Sequence, residues 1–119
     1  MAKKARKSDR IDLLQGTLDV LILKTLSRDK EHGQGIARTI EAMSGNVFNI
    51  DHGSLYPALQ RLEKKGYIRS EWGTSSNNRK ARFYELTKAG RAQVDAEVTK
   101  WRRLSAAMAR VLAADEGGD

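Results

Sequence analysis

Apolar residues recur at helical spacing in four stretches of the chain and alternate with polar ones in two. Leu18, Leu21, Ile22, Thr25 and Leu26 fall at steps of three and four, which predicts a helix from about Thr17 to Ser27 with Thr17 capping its first turn. Ile36, Ile40 and Met43 share one face of a second helix, from about Gly33 to Ser44, which Gly45 ends. Asn46 to Ile50 is short and β-leaning and reads as a connector. Leu55, Leu59 and Leu62 form the stripe of a third helix, from about Gly53 to Lys65, stopped at Gly66. Asp51 or Ser54 could cap it, and Pro57 belongs near its start, where a missing N–H costs least. The period then changes. Tyr67 to Trp72 and Arg82 to Leu86 read as two strands, and the polar run Gly73 to Lys80 between them as the exposed tip of a β-hairpin. Thr87 caps a long last helix, through about Ala113, whose apolar positions make a narrow stripe along one side.

The order is helix, helix, helix, hairpin, helix. The expected fold is mainly α with a small β-hairpin: a winged helix-turn-helix unit over residues 13–87, then a long C-terminal dimerisation helix over 88–113. Residues 1–12 are expected to form a basic flexible arm and 114–119 an acidic tail. No internal repeat or linker divides the chain.

The 119 residues carry 22 Lys and Arg against 15 Asp and Glu, a net charge of +7, which attracts polyanions such as nucleic acid or an anionic membrane surface. The absence of cysteine excludes disulfides, zinc fingers and thiol chemistry. The longest apolar segment, Leu18 to Leu26, is broken by Asp19, Lys24 and Thr25 and is too short to span a bilayer. The basic N-terminus is not followed by an unbroken apolar stretch, so no secretory signal and no membrane partner are expected, and a cytoplasmic location is. No nucleophile–base pair, metal cluster or phosphate-loop pattern stands out, so neither enzymatic activity nor a cofactor is expected.

The third helix suits the role of entering the major groove of duplex DNA. With its leucines inward, Gly53, Pro57, Gln60, Arg61 and Lys64 turn outward, and Ser54 and Tyr56 lie on the flanks. Gly53 would let a phosphate approach the helix N-terminus, and Gln60 and Arg61 would reach bases. The hairpin tip clusters Arg79, Lys80 and Arg82 beside Asn78, with no acidic residue between Gly73 and Tyr84, which suits a wing that follows phosphates. His32 and His52, at the entries of the second and third helices, are further candidate contacts, His32 alternatively as a cap.

The run from Gly53 to Ile68, with its Gly-Ser-Leu-Tyr-Pro core and the Leu-Glu-x-x-Gly that follows, resembles the recognition helix of the PadR family of transcriptional regulators. Gly16 to Leu23 resembles that family's first helix, His32 to Ile36 its second-helix entry, and Arg82 to Gly90 its second wing strand and the cap beyond. The likeness covers about residues 14 to 112, and one departure is Gln34, where many relatives carry an aromatic residue. It implies a homodimeric repressor of the compact branch, with one C-terminal dimerising helix.

The stripe Val94, Val98, Trp101, Leu104, Met108, Val111 and Leu112 would pair with its copy in a second subunit, so that two recognition helices read a near-palindromic site. Packing back on the chain's own first helix is the competing use of that stripe. By resemblance, Trp101 and Met108 would line a space between subunits that takes a flat, small hydrophobic effector. Two other functions fit the same layout: a winged-helix protein-interaction module, and a non-specific DNA-coating protein.

Overall fold

The computed structural model describes residues 11–114; the arm before them and the tail after them lie outside the described residues. Among the described residues, four helices and five strands follow in the order β1 (Ile11–Asp12), α1 (Gln15–Leu26), β2 (Glu31–His32), α2 (Gly33–Met43), β3 (Phe48–Asn49), α3 (His52–Lys64), β4 (Ile68–Thr74), β5 (Lys80–Leu86) and α4 (Lys88–Leu112).

Helix α1 starts two residues before the expected position. The Leu18 N–H bonds the Leu14 carbonyl at 3.0 Å, which makes Leu14 the N-cap, with no side-chain bond. Thr17 therefore lies inside the helix and is not its cap. Leu18, Ile22 and Leu26 from α1 meet Ile36 and Ile40 from α2 and Leu55, Leu59 and Leu62 from α3, and together they form one core. The α2 stripe ends a turn earlier than its spacing predicts. Met43 is exposed, because the chain reverses through Gly45 and Asn46, both at a φ of 63°, and leaves that turn beyond the core.

Both hairpin strands are longer than the apolar alternation indicates. They pair antiparallel from Ile68 opposite Leu86 out to Thr74 opposite Lys80, which shortens the tip to residues 75–79. Asn78 turns that tip in the left-handed region, at a φ of 60°. Two short pairings escaped the sequence reading. Strand β2 adds to β5 as a third strand, and the expected connector supplies β3, which pairs parallel with β1, at the end of the expected arm. Two-residue strands carry no measurable alternation.

Thr87 caps α4 as expected, accepting the Gly90 N–H at 3.1 Å. The first two turns of α4 sit on the core through Gly90 and Val94. The 25-residue helix spans about 37 Å at its normal rise, and its C-terminal half projects from the body.

Candidate nucleic-acid interface

Leu55, Ala58, Leu59 and Leu62 bury one face of α3 and so aim the opposite face outward. Tyr56, Pro57, Gln60 and Lys64 are exposed there, as the leucine spacing requires. Pro57 is the sixth residue of the helix, later than expected, and removes the N–H that would have bonded the Gly53 carbonyl one turn back. The loss is borne on the solvent side, where that carbonyl can be hydrated.

Asp51, one of the two expected caps, is the N-cap of α3, and Ser54 and Arg61 bond within the chain. The Asp51 side chain accepts the Ser54 N–H at 2.9 Å and the Ser54 hydroxyl at 3.2 Å. A carboxylate of the chain itself thus occupies the positive end of α3, beside Gly53, and answers the dipole that was expected to hold a phosphate. Ser54 spends its hydroxyl on this cap. Arg61 does not stand free on the outward face: its guanidinium turns back to Asp19 of α1, with Nη2 2.8 Å from Oδ1. Its Nε is buried without a hydrogen-bond partner among the described residues. The arginine joins α3 to α1, because at this position the half-buried Asp19 is the nearest compensating charge.

The hairpin face that looks toward α3 changes character along its length. Cross-strand partners share a face, and successive pairs on this one are Ile68 with Leu86, Ser70 with Tyr84, Trp72 with Arg82, and Thr74 with Lys80. The first pair is core and the last is cationic. Between them the Ser70 hydroxyl donates to Glu63 of α3 at 2.8 Å. Arg82 donates through Nε to Ser70 at 2.8 Å and lies 3.8 Å from the Glu63 carboxylate. Arg82 was expected as a free contact at the tip. It is half-exposed, but its position is set by this link between the hairpin and α3. Burial raises the Tyr84 phenol above its usual range, with Arg82 opposing.

Between α3, the start of α2 and the wing lies an open cleft of about 700 Å³. Arg38, Arg79, Lys80 and Arg82 line it, and among the described residues no Asp or Glu does. Tyr56, Trp72 and Tyr84 supply its apolar surface. Gln60 reaches it from α3, whereas Arg61 and Lys64 do not. Asn78 is exposed at the tip, just outside the lining. Gly33 lets the Tyr56 ring lie against the start of α2, since a Cβ there would sit 2.9 Å from it.

His32 is the N-cap of α2: Nδ1 accepts the Gly35 N–H at 3.1 Å, and the ring stands edge-on to Phe83. It borders the cleft, and its Nε2 lies 3.6 Å from the Glu31 carboxylate, so both ring nitrogens face partners within the chain. His52 lies outside the lining, its Nε2 3.3 Å from the Gln34 amide nitrogen and its ring edge-on to Tyr56. The sequence reading missed Arg38 and Trp72. Both signals were present: Arg38 lies two residues past Ile36, on the outward side of α2, and Trp72 alternates in phase with Ile68.

On α4 the stripe divides. Val94 is buried in the chain's own core and Val98 packs against it, so these two satisfy the subunit itself. Trp101 is partly buried, and Leu104, Met108, Val111 and Leu112 are exposed, the last two at 73%.

Among the described residues no helix is long and apolar enough to cross a membrane. A model of the transcriptional regulator PadR-like family matches residues 22–96. An uncharacterized protein of Lysinibacillus sphaericus is 34% identical over 92 residues, which are 77% of this chain and 84% of that protein. Among solved structures, a PadR family transcription regulator from Clostridium difficile superposes with a TM-score of 0.69 at 27% identity, over 80% of this chain and 97% of its own. A PadR-like transcriptional regulator from Bacillus cereus gives a TM-score of 0.71 at 25% identity, over 83% and 94%. With the winged helix-turn-helix layout on the same residues, the chain belongs to the PadR-like family of transcriptional regulators.

Proposed function

We propose that the protein is a homodimeric repressor that binds a near-palindromic site on duplex DNA through α3 and the β4–β5 wing. The observation that carries this reading is the cleft between them, lined among the described residues by four cations and no carboxylate. A phosphate strand is the polyanion such a cleft fits, and a helix flanked by a wing is the arrangement that places one strand there while the helix enters the adjoining major groove. Tyr56, Pro57, Gln60 and Lys64 then face the groove, and Arg38, Arg79, Lys80 and Asn78 follow the backbone. Gln60, with a donor and an acceptor, is the side chain best suited to reading a base edge.

The dimer reading draws support from Leu104, Met108, Val111 and Leu112, an exposed apolar row at steps of four, three and one along a helix that overhangs its own core. Such a row on a small chain calls for a partner, and a second α4 offers the matching face. A small hydrophobic effector would enter between copies, against Trp101 and Met108, and release DNA by shifting the two halves relative to each other.

Selection of bound duplex from a random pool, with affinity followed across a salt series, tests the reading. The expected outcome is a near-palindromic site and a steep salt slope. A slope without site preference would make the protein a DNA-coating one. Absence of binding at low salt would leave a protein-interaction module.

A further inference from the structure

Trp72 is 64% exposed, more than any other Phe, Trp or Tyr among the described residues. It lies within a paired stretch of β4, opposite Arg82, and not in the turn. An indole left open on a rigid strand forgoes the burial that makes tryptophan stabilising. Its neighbours define what would cover it. It lines the cationic cleft, and the Lys80 ammonium lies 6.0 Å from its ring centroid. Another apolar protein surface would have to bury Arg38, Arg79 and Lys80 along with the indole, at a large desolvation cost. A nucleic-acid backbone meets both demands at once, because its anionic phosphates alternate with deoxyribose rings whose C–H faces are apolar.

We infer that Trp72 packs on a deoxyribose of the strand that passes through the cleft, between phosphates held by Lys80 and Arg38. This rests on the DNA-binding reading above and adds to it an apolar contact that is indifferent to sequence and to salt. Ser70 and Arg82 fix the wing against Glu63 of α3, so the indole is held at a set height above the recognition helix. The contact thereby sets how far α3 descends into the major groove.

The test uses equilibrium binding of the full chain to a mixed-sequence duplex across a salt series. Wild type, Trp72→Ala, Trp72→Gln and Lys80→Ala are compared. Both tryptophan variants should bind about tenfold more weakly at every salt concentration, with an unchanged salt slope. Lys80→Ala should instead lower the slope by about one charge. Because Trp72 is exposed, both variants should keep the wild-type thermal midpoint, and the glutamine variant keeps a long side chain on the strand. Wild-type affinity in either tryptophan variant, or a slope reduced as in Lys80→Ala, would overturn the inference while leaving the DNA reading intact. If wild type itself binds no duplex at low salt, the DNA reading fails and the inference with it.

Discussion

Removing Asp19 from α1 should change DNA binding although its carboxylate lies outside the cleft. Asp19 and Arg61 are joined by a 2.8 Å bond, and their side chains are 15% and 30% exposed. A charge-assisted hydrogen bond out of solvent contributes about 1.5–3 kcal/mol. Arg61 is nearly a third exposed, so screening lowers the pair to about 1–2 kcal/mol. Arg61→Ala leaves a half-buried carboxylate alone and should cost about 2 kcal/mol. Asp19→Ala should cost about 1 kcal/mol, since the freed guanidinium can swing toward water. The double variant should fall short of the sum by about 1–2 kcal/mol. Urea unfolding of the four proteins at one fixed protein concentration measures this coupling. DNA affinity supplies the second readout. If Arg61 orients α3, both single variants weaken binding alike and leave base preference unchanged. If Arg61 instead reads a base, Arg61→Ala alone relaxes preference at one position by about 1–3 kcal/mol. Additive unfolding energies, or a preference change confined to Arg61→Ala, would refute the positioning role.

Gly90→Ala should destabilise the fold by about 1–3 kcal/mol or more, seen as a lower thermal midpoint, because the new Cβ would stand 1.9 Å from the Tyr67 backbone carbonyl; an unchanged midpoint would mean that α4 does not pack so closely on the foot of the wing. Asp51→Asn keeps a good N-cap and removes a negative charge from the DNA-facing end of α3, so duplex affinity at low salt should rise several-fold with little change in stability. A drop in affinity would indicate that the Asp51 carboxylate itself contacts DNA. Met108→Asp should shift sedimentation from dimer to monomer while circular dichroism is preserved, since Met108 is 52% exposed in the single chain. A dimer that persists would move the subunit contact away from the α4 row.

Much of this was legible from side-chain spacing, and the limits follow from what spacing encodes. The leucines of α3 fixed its outward face, and Thr87 marked the start of α4, because burial and capping act within one element. The fates of Arg61 and Arg82 depend on Asp19 and Glu63, which reach them from other elements. No local pattern states that pairing. Val94 and Met108 share one stripe in sequence, yet one is core and the other exposed, because the period of a helix shows its apolar side and not where the body beneath it ends.

These pairings bear on how the interface divides its work. On α3, Arg61 is committed to Asp19, and the positive helix end is covered by Asp51, so the outward face of α3 offers mainly neutral donors and acceptors. The cations that line the cleft come from α2 and the wing. In the proposed complex, attraction to the phosphate strand and discrimination among bases would therefore sit largely on separate elements, with Lys64 the exposed cation left on the outward face of α3. The links that join those elements are Arg82 and Ser70 to Glu63, and Arg61 to Asp19. Asp19 lies on α1, which also packs against α4. In the proposed dimer, a displacement of α4 by the second subunit or an effector would have a short path, through α1 and one ion pair, to the tilt of α3.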